Sequence, residues 1–265
     1  MTRLASLLVL GGLTAFGQNI ASSPGYNGLR EAHIPALSGF APITGAPYSG
    51  ELVMEAVQTL ADGTHIRHAT GSTKVYRDSF GRTREETFGP ADQAPNATES
   101  PMLIYITDPV GQVQYTLDVL RKVAHRQMIL APAARPAVAS RASSAPVSPA
   151  APATDLKTPE TVSEKLENQI IEGVLAEGTR TTTTWPEGSM GNDRPIVGVQ
   201  EYWRSVELKV LVLNKWTNPR SGEQTEKLTN ISRNEPDQSL FQLPPDYTIV
   251  DEKGAFTIKW GPDQQ

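Results

Sequence analysis

The 265-residue sequence contains no cysteine. That excludes disulfides, thiolate nucleophiles, thiolate metal ligands and a thioether lipid anchor, so the fold must stand on its core alone. Positive charge is also in short supply: 24 Lys and Arg face 29 Asp and Glu, for a net charge of −5. A chain with this balance lacks the basic face that a nucleic acid partner requires. Long apolar runs are missing too. The run Leu4–Phe16 covers 13 residues, short of the roughly 20 that a spanning helix needs. No P-loop, dinucleotide fingerprint or Gly-x-Ser-x-Gly elbow occurs, so no cofactor is expected.

What is present begins with an export signal. Arg3 and the amino terminus supply a positive start, Leu4–Phe16 the apolar stretch, and Ala15-Phe16-Gly17 the small residues of a cleavage site. A secretory signal peptide over residues 1–17, cut after Gly17, is the expectation. The mature chain then has a net charge near −6, since Arg3 is the one charged residue removed. With zero cysteine, the compartment implied is a bacterial periplasm, or the medium beyond it.

Residues 18–48 are rich in Gly, Pro and Ala without a period and read as an irregular arm. From there the pattern is β. Leu52 and Met54 alternate with Val53 and Glu55, Asp62-Gly63 marks a hairpin, and Asp78-Ser79-Phe80-Gly81 and Asp108-Pro109-Val110-Gly111 mark turns. Over 131–153, 19 of 23 residues are Ala, Pro or Ser, with five prolines. Such a stretch has no packing face and reads as a linker or long loop, with 131–158 interrupting a β domain over 49–260. Thr158-Pro159 and Thr161-Val162-Ser163-Glu164 carry helix-start signals, predicting a short helix around 160–168. A further helical turn is predicted at 237–240. Strands are predicted at 178–185, 196–204, 208–216 and 224–232. The fold class expected is therefore mainly β: one curved antiparallel sheet, a half-barrel or open barrel, with one or two short helices and a long Ala/Pro-rich loop.

The second half carries a resemblance. The pattern runs from Ile170-Ile171-Glu172-Gly173 and Gly178-Thr179-Arg180 through Glu201-Tyr202-Trp203 and Glu207–Leu213. It continues with Pro219-Arg220-Ser221-Gly222-Glu223 and Lys227–Ile231, and closes with Leu240-Phe241-Gln242-Leu243-Pro244-Pro245-Asp246-Tyr247. It resembles uncharacterised exported proteins of soil bacteria, notably Acidobacteria. Its layout is similar to the periplasmic half-barrels of the LolA- and RseB-type group, the lipoprotein carriers and envelope-stress sensors. That resemblance implies a curved sheet with a hollow, and an envelope protein or a lipid-like ligand as partner. The group fills its hollow with several helices, and this sequence offers at most two short ones.

Candidate chemistry is sparse. His65 and His68 are three apart, which on one strand sends them to opposite faces. Glu85-Glu86, Asp193 and the Glu235-Pro236-Asp237 pair read as solvated turn acids. Ser189 lacks the strand–turn–helix context of a nucleophile. The aromatic set Trp185, Trp203 and Trp216 lies on successive predicted strands. These three are the candidate ligand-binding residues, as a stacking platform for sugar or peptide, against the plainer reading of core packing. The function expected is a non-enzymatic exported protein that binds a partner protein or apolar ligand on its sheet. A carboxylate-dependent hydrolase and a structural envelope protein are the alternatives.

Overall fold

A computed structural model of the protein describes residues 30–37, 41–60, 62–88, 100–129 and 158–260. The expected signal peptide and the 131–153 stretch lie outside the described residues. The chain divides into two units. In the smaller, β1 (Arg30–Ile34) pairs antiparallel with β14 (Phe256–Trp260). Glu31 lies opposite Lys259 with an ion pair of 3.6 Å, and His33 Nδ1 and Thr257 Oγ1 hydrogen-bond at 3.2 Å. The stretch read as an irregular arm therefore contains a strand, which a partner more than 220 residues away in the chain draws out.

The larger unit spans residues 37–253. Its first meander is β2 (Tyr48–Thr59), β3 (His65–Arg77), β4 (Thr83–Thr87), β5 (Leu103–Asp108), β6 (Val113–Asp118) and β7 (Val123–Met128). The second is β8 (Glu160–Ile171), β9 (Val174–Trp185), β10 (Ile196–Ser205), β11 (Leu211–Asn218) and β12 (Gly222–Ser232). β12 lies antiparallel beside β2, with Leu228 opposite Leu52, and this joins the meanders into one curved sheet. β13 (Thr248–Asp251) adds to β7 in parallel. The order runs β13-β7-β6-β5-β4-β3-β2-β12-β11-β10-β9-β8, so β13 and β8 are edges and the sheet does not close into a barrel.

Local chemistry sets the hairpins. Four turns repeat one device: a short polar side chain accepts from the turn's backbone, and four residues later the backbone turns left-handed. Asp108 Oδ1 accepts from the Val110 and Gly111 N–H groups at 2.9 Å each, followed by Gln112 at φ 53°. Asp118 and Lys122 (φ 55°) repeat it, as do Ser205 with Lys209 (φ 54°) and Asn218 with Gly222 (φ 80°). At the β3–β4 turn, buried Asp78 accepts from the N–H groups of Phe80 and Arg82 and from Arg82 Nε at 2.6 Å.

The predicted helix at 160–168 is a strand, β8, paired with β9 from Glu160–Thr184 to Ile171–Val174. Helix-start signals are worth about 1 kcal/mol. A ladder of ten registered pairs with β9, four of them against the β-branched Thr181–Thr184, outweighs them. Thr161 bonds to Thr183 (3.3 Å) instead of capping, and Glu164 reaches Arg180 (3.1 Å). The other expected helical turn is present as a 3-10 turn, Gln238–Phe241, capped by the Asp237 carboxylate.

Two apolar clusters anchor the larger unit. Tyr48, Trp203, Val212 and Leu228 pack with Leu208 and Val210 of the β10–β11 connection. Arg77 ties that region down, donating to the carbonyls of Ala46 and Leu208 while its guanidinium sits 4.7 Å from the Tyr48 ring centroid. In the second cluster Ile104, Ile106, Leu117 and Ala124 meet Leu243 and Tyr247. Arg84 Nη1 donates to the Leu240 carbonyl (3.0 Å), fixing the 3-10 turn beside it.

Candidate binding face

Registered strand pairs decide which side chains share a face, because neighbours directly opposite point the same way. Across β8–β12 and β2 the two faces differ in kind. One carries charge. Arg180 lies between Glu164 and Glu201, with ion pairs of 3.1 and 2.8 Å. These two carboxylates hold the exposed guanidinium above its usual value. Lys215 meets Glu223 (3.4 Å) and Arg67 meets Glu55 (3.2 Å) on the same face. Trp203 is on this side and is buried, 3% exposed, its ring lying on Gly178 directly opposite.

The other face is aromatic and, around Trp185 and Trp216, neutral; its charges on β9–β12 are Glu226 and the Glu177–Arg204 pair beyond Tyr202. It presents Thr179, Thr181, Thr183 and Trp185 of β9, Gly198, Gln200 and Tyr202 of β10, and Asn214 and Trp216 of β11. Gln224 and Glu226 follow from β12. Hydrogen bonds organise it: Ser163 with Thr181 (3.0 Å), Gln200 Nε2 to Asn214 Oδ1 (3.2 Å), and Asn214 Nδ2 to Glu226 Oε2 (3.3 Å). Trp216 lies in one row between Gln200 and Gln224. The Cζ3–Cη2 edge of Trp185 lies over Gly198. A Cβ at Gly198 would fall 2.9 Å from the ring, with Asn218 Nδ2 at 3.6 Å. Trp185 and Trp216 are half-buried, and Tyr202 is exposed. The structure thus brings Trp185 and Trp216 to one face and sends Trp203 to the other.

A second cluster went unseen in the sequence. Val75, Glu85, Tyr105, Thr116 and His125 form one row across β3–β7. Glu85 is a strand residue rather than a solvated turn acid, and burial pushes its carboxyl up to about 7. Burial, with the Glu85 charge added, raises the Tyr105 hydroxyl to about 12. Thr116 is 1% exposed and its Oγ1 has no hydrogen-bond partner among the described residues. His125 Nδ1 meets Glu252 Oε1 at 2.8 Å. Glu86, on the opposite face, pairs with Arg84 at 2.8 Å. The signal available was the alternation of Thr83, Glu85 and Thr87, which places Glu85 inward once its neighbours are known.

The remaining candidates serve the fold. Glu235 accepts from Ser79 N–H (2.9 Å) and Oγ, bonds that hold its carboxyl below the usual range. Asp237 caps the 3-10 turn, Ser189 Oγ donates to the Pro186 carbonyl (2.8 Å), and Asp193 is exposed beside Arg194. His65 bonds to Thr59 (3.0 Å), and His68 points to the opposite face of β3.

No protein-family profile and no curated protein matches the chain by sequence. Among solved structures, an uncharacterized conserved protein from Thermus thermophilus is similar at 8% identity and TM-score 0.41. That match covers 78% of this chain and 91% of that one. MucB in complex with MucA(peri) is similar at 11% identity and TM-score 0.38, over 77% of this chain and 57% of MucB. The chain therefore spans little more than half of MucB's length. A putative outer membrane lipoprotein-sorting protein domain from Vibrio parahaemolyticus is similar at 14% identity and TM-score 0.25, over 74% and 89% of the two chains.

Proposed function

We propose that the protein is an exported, non-enzymatic binding protein of the cell envelope, released by cleavage near Gly17, that holds a partner protein or apolar ligand on its open sheet. The observation that carries this reading is the neutral aromatic face of β9–β12, set back to back with a face of paired charges. Paired surface charges gain little from further contacts. Half-buried indoles among amides and hydroxyls still have area and hydrogen bonds to offer. The export signal supports an envelope address, and β8 ends the sheet beside that face. The hydrolase alternative asks for a second acid beside Glu85, and the row positions flanking Glu85 hold Val75 and Tyr105.

The test expresses the full chain in a Gram-negative host with a photoreactive residue at position 224 or 225, adjacent residues on opposite faces. Fractionation and mass spectrometry should find a mature chain beginning near Gln18 in the periplasm. Crosslinks should form from position 224 and not from 225. A cytoplasmic full-length chain, or equal crosslinking from both positions, overturns the reading.

A further inference from the structure

We propose that the neutral face of β9–β12 is a binding site for an uncharged glycan, with Trp185 and Trp216 as stacking platforms and the side-chain amides between them as hydroxyl partners. This rests on the binding reading above for the face and goes beyond it in the occupant, a hydroxylated ligand rather than a protein or an apolar molecule. Trp216 sits in a row whose neighbours on both sides are amides, Gln200 and Gln224. An amide offers both donors and acceptors without charge, which suits vicinal hydroxyls. The Cζ3–Cη2 edge of Trp185 lies over Gly198, where no side chain lifts it off the sheet, and Asn218 Nδ2 borders the same glycine. Two indoles are thus set into one sheet face with amides beside each. A pyranose has the matching surface: apolar C–H faces for the indoles and equatorial hydroxyls for the amides.

The charge distribution chooses the occupant. On β9–β12 this face carries Glu226, already accepting from Asn214, and Glu177 opposite Arg204 beyond Tyr202; the rows that hold Trp185 and Trp216, from Thr181 to Trp185 with Gly198, Gln200 and Gln224, carry no formal charge, whereas on the opposite face the same stretch holds Arg180, Glu201, Lys215 and Glu223. A charged polypeptide would find its complement on the opposite face. The neutral face suits a ligand that brings no charge.

The experiment titrates the purified mature chain with cellohexaose and with the N-acetylglucosamine hexasaccharide, followed by tryptophan fluorescence and calorimetry. Saturable binding of at least one is expected, unchanged between low salt and ~0.5 M NaCl because no ion pair forms. Trp216→Ala and Trp185→Ala should each weaken it about tenfold, the loss of one aromatic contact. Trp216→Tyr should retain most of it. Arg180→Ala, on the charged face, should leave it unchanged, and circular dichroism confirms that each variant is folded. No binding of either sugar at millimolar concentration overturns the proposal. So does binding that survives both Trp→Ala changes in a folded protein, or that is abolished by salt. If position 224 still crosslinks a protein partner while both sugars fail, the glycan proposal falls and the binding function stands. If both experiments fail, both fall.

Discussion

Replacing Gly178 by alanine sets two physical effects against each other. Glycine inside a strand costs about 0.5–1 kcal/mol relative to alanine, through backbone entropy. Gly178 has an ordinary strand backbone, so alanine is sterically allowed by φ and ψ, and propensity alone predicts a gain. The tertiary structure predicts the opposite. A Cβ at 178 would lie 2.6, 2.7 and 2.8 Å from Cζ3, Cη2 and Cε3 of Trp203, where ordinary contact begins at 3.4 Å. The ring would have to retreat by most of an ångström. It cannot do so freely, because Trp203 is 3% exposed and shares a cluster with Ala176, Val212 and Leu228. Overpacking of this kind costs about 1–3 kcal/mol. After the backbone gain, a net loss of about 1–2 kcal/mol remains, or a Tm decrease of roughly 2–8 °C for a domain of this size. Gly198→Ala is the internal comparison: its contact is the half-buried Trp185, which can swing toward solvent, so the loss should stay under about 1 kcal/mol. Urea denaturation of both variants, read by circular dichroism, makes the measurement. A double-mutant cycle with Trp203→Phe should recover part of the Gly178→Ala loss. A Gly178→Ala protein as stable as the parent would refute the claim that this indole rests on bare backbone.

Four further outcomes follow from named residues. The Glu85 carboxyl is raised from 4.5 to about 7 in the fold, so its favourable contribution is complete below about pH 4.5 and is lost as pH rises through 7. Glu85→Gln should therefore match the parent's Tm near pH 4 and exceed it above pH 8; a lower Tm at pH 8 would contradict burial as the cause. Asp78→Ala strips acceptors from two backbone N–H groups and the Arg82 guanidinium at a fully buried position, and should cost about 2–4 kcal/mol by urea denaturation. Asp62→Ala, which loses one exposed bond to Thr64, should cost less than about 1 kcal/mol. Gln112→Gly relieves a left-handed residue (φ 53°) at an exposed turn and should raise stability by about 0.5–1 kcal/mol, with a lower Tm as the contrary result.

Much of the architecture is written locally. The polar residue and left-handed position of each hairpin act over five residues, so Asp108, Asp118 and Asn218 mark their turns without knowledge of partners. Alternation along a strand likewise tells that Trp203 and Tyr202 face opposite ways. A single continuous sheet was expected because the strands of the first half end with no obvious cap of their own, and the β2–β12 pairing supplies it. Where local signals misled, a distant or unseen neighbour was stronger: the caps at 158–164 gave way to β9, and Glu85 is half-buried in a row between Val75 of β3 and Tyr105 of β5.

From the sequence alone come the expectation of an export signal, the absence of thiol chemistry, the strand spacing and the turns, because each depends on composition or on residues a few positions apart. Only the tertiary structure decided which face each tryptophan shares and with whom. A strand's alternation divides its residues into two sets but does not say which set of the next strand lies beside them; the registers do. Those registers place Trp185 and Trp216 among neutral amides, lay Trp203 on Gly178 within the core, and set Arg180 with Glu164 and Glu201, and Lys215 with Glu223, on the far side.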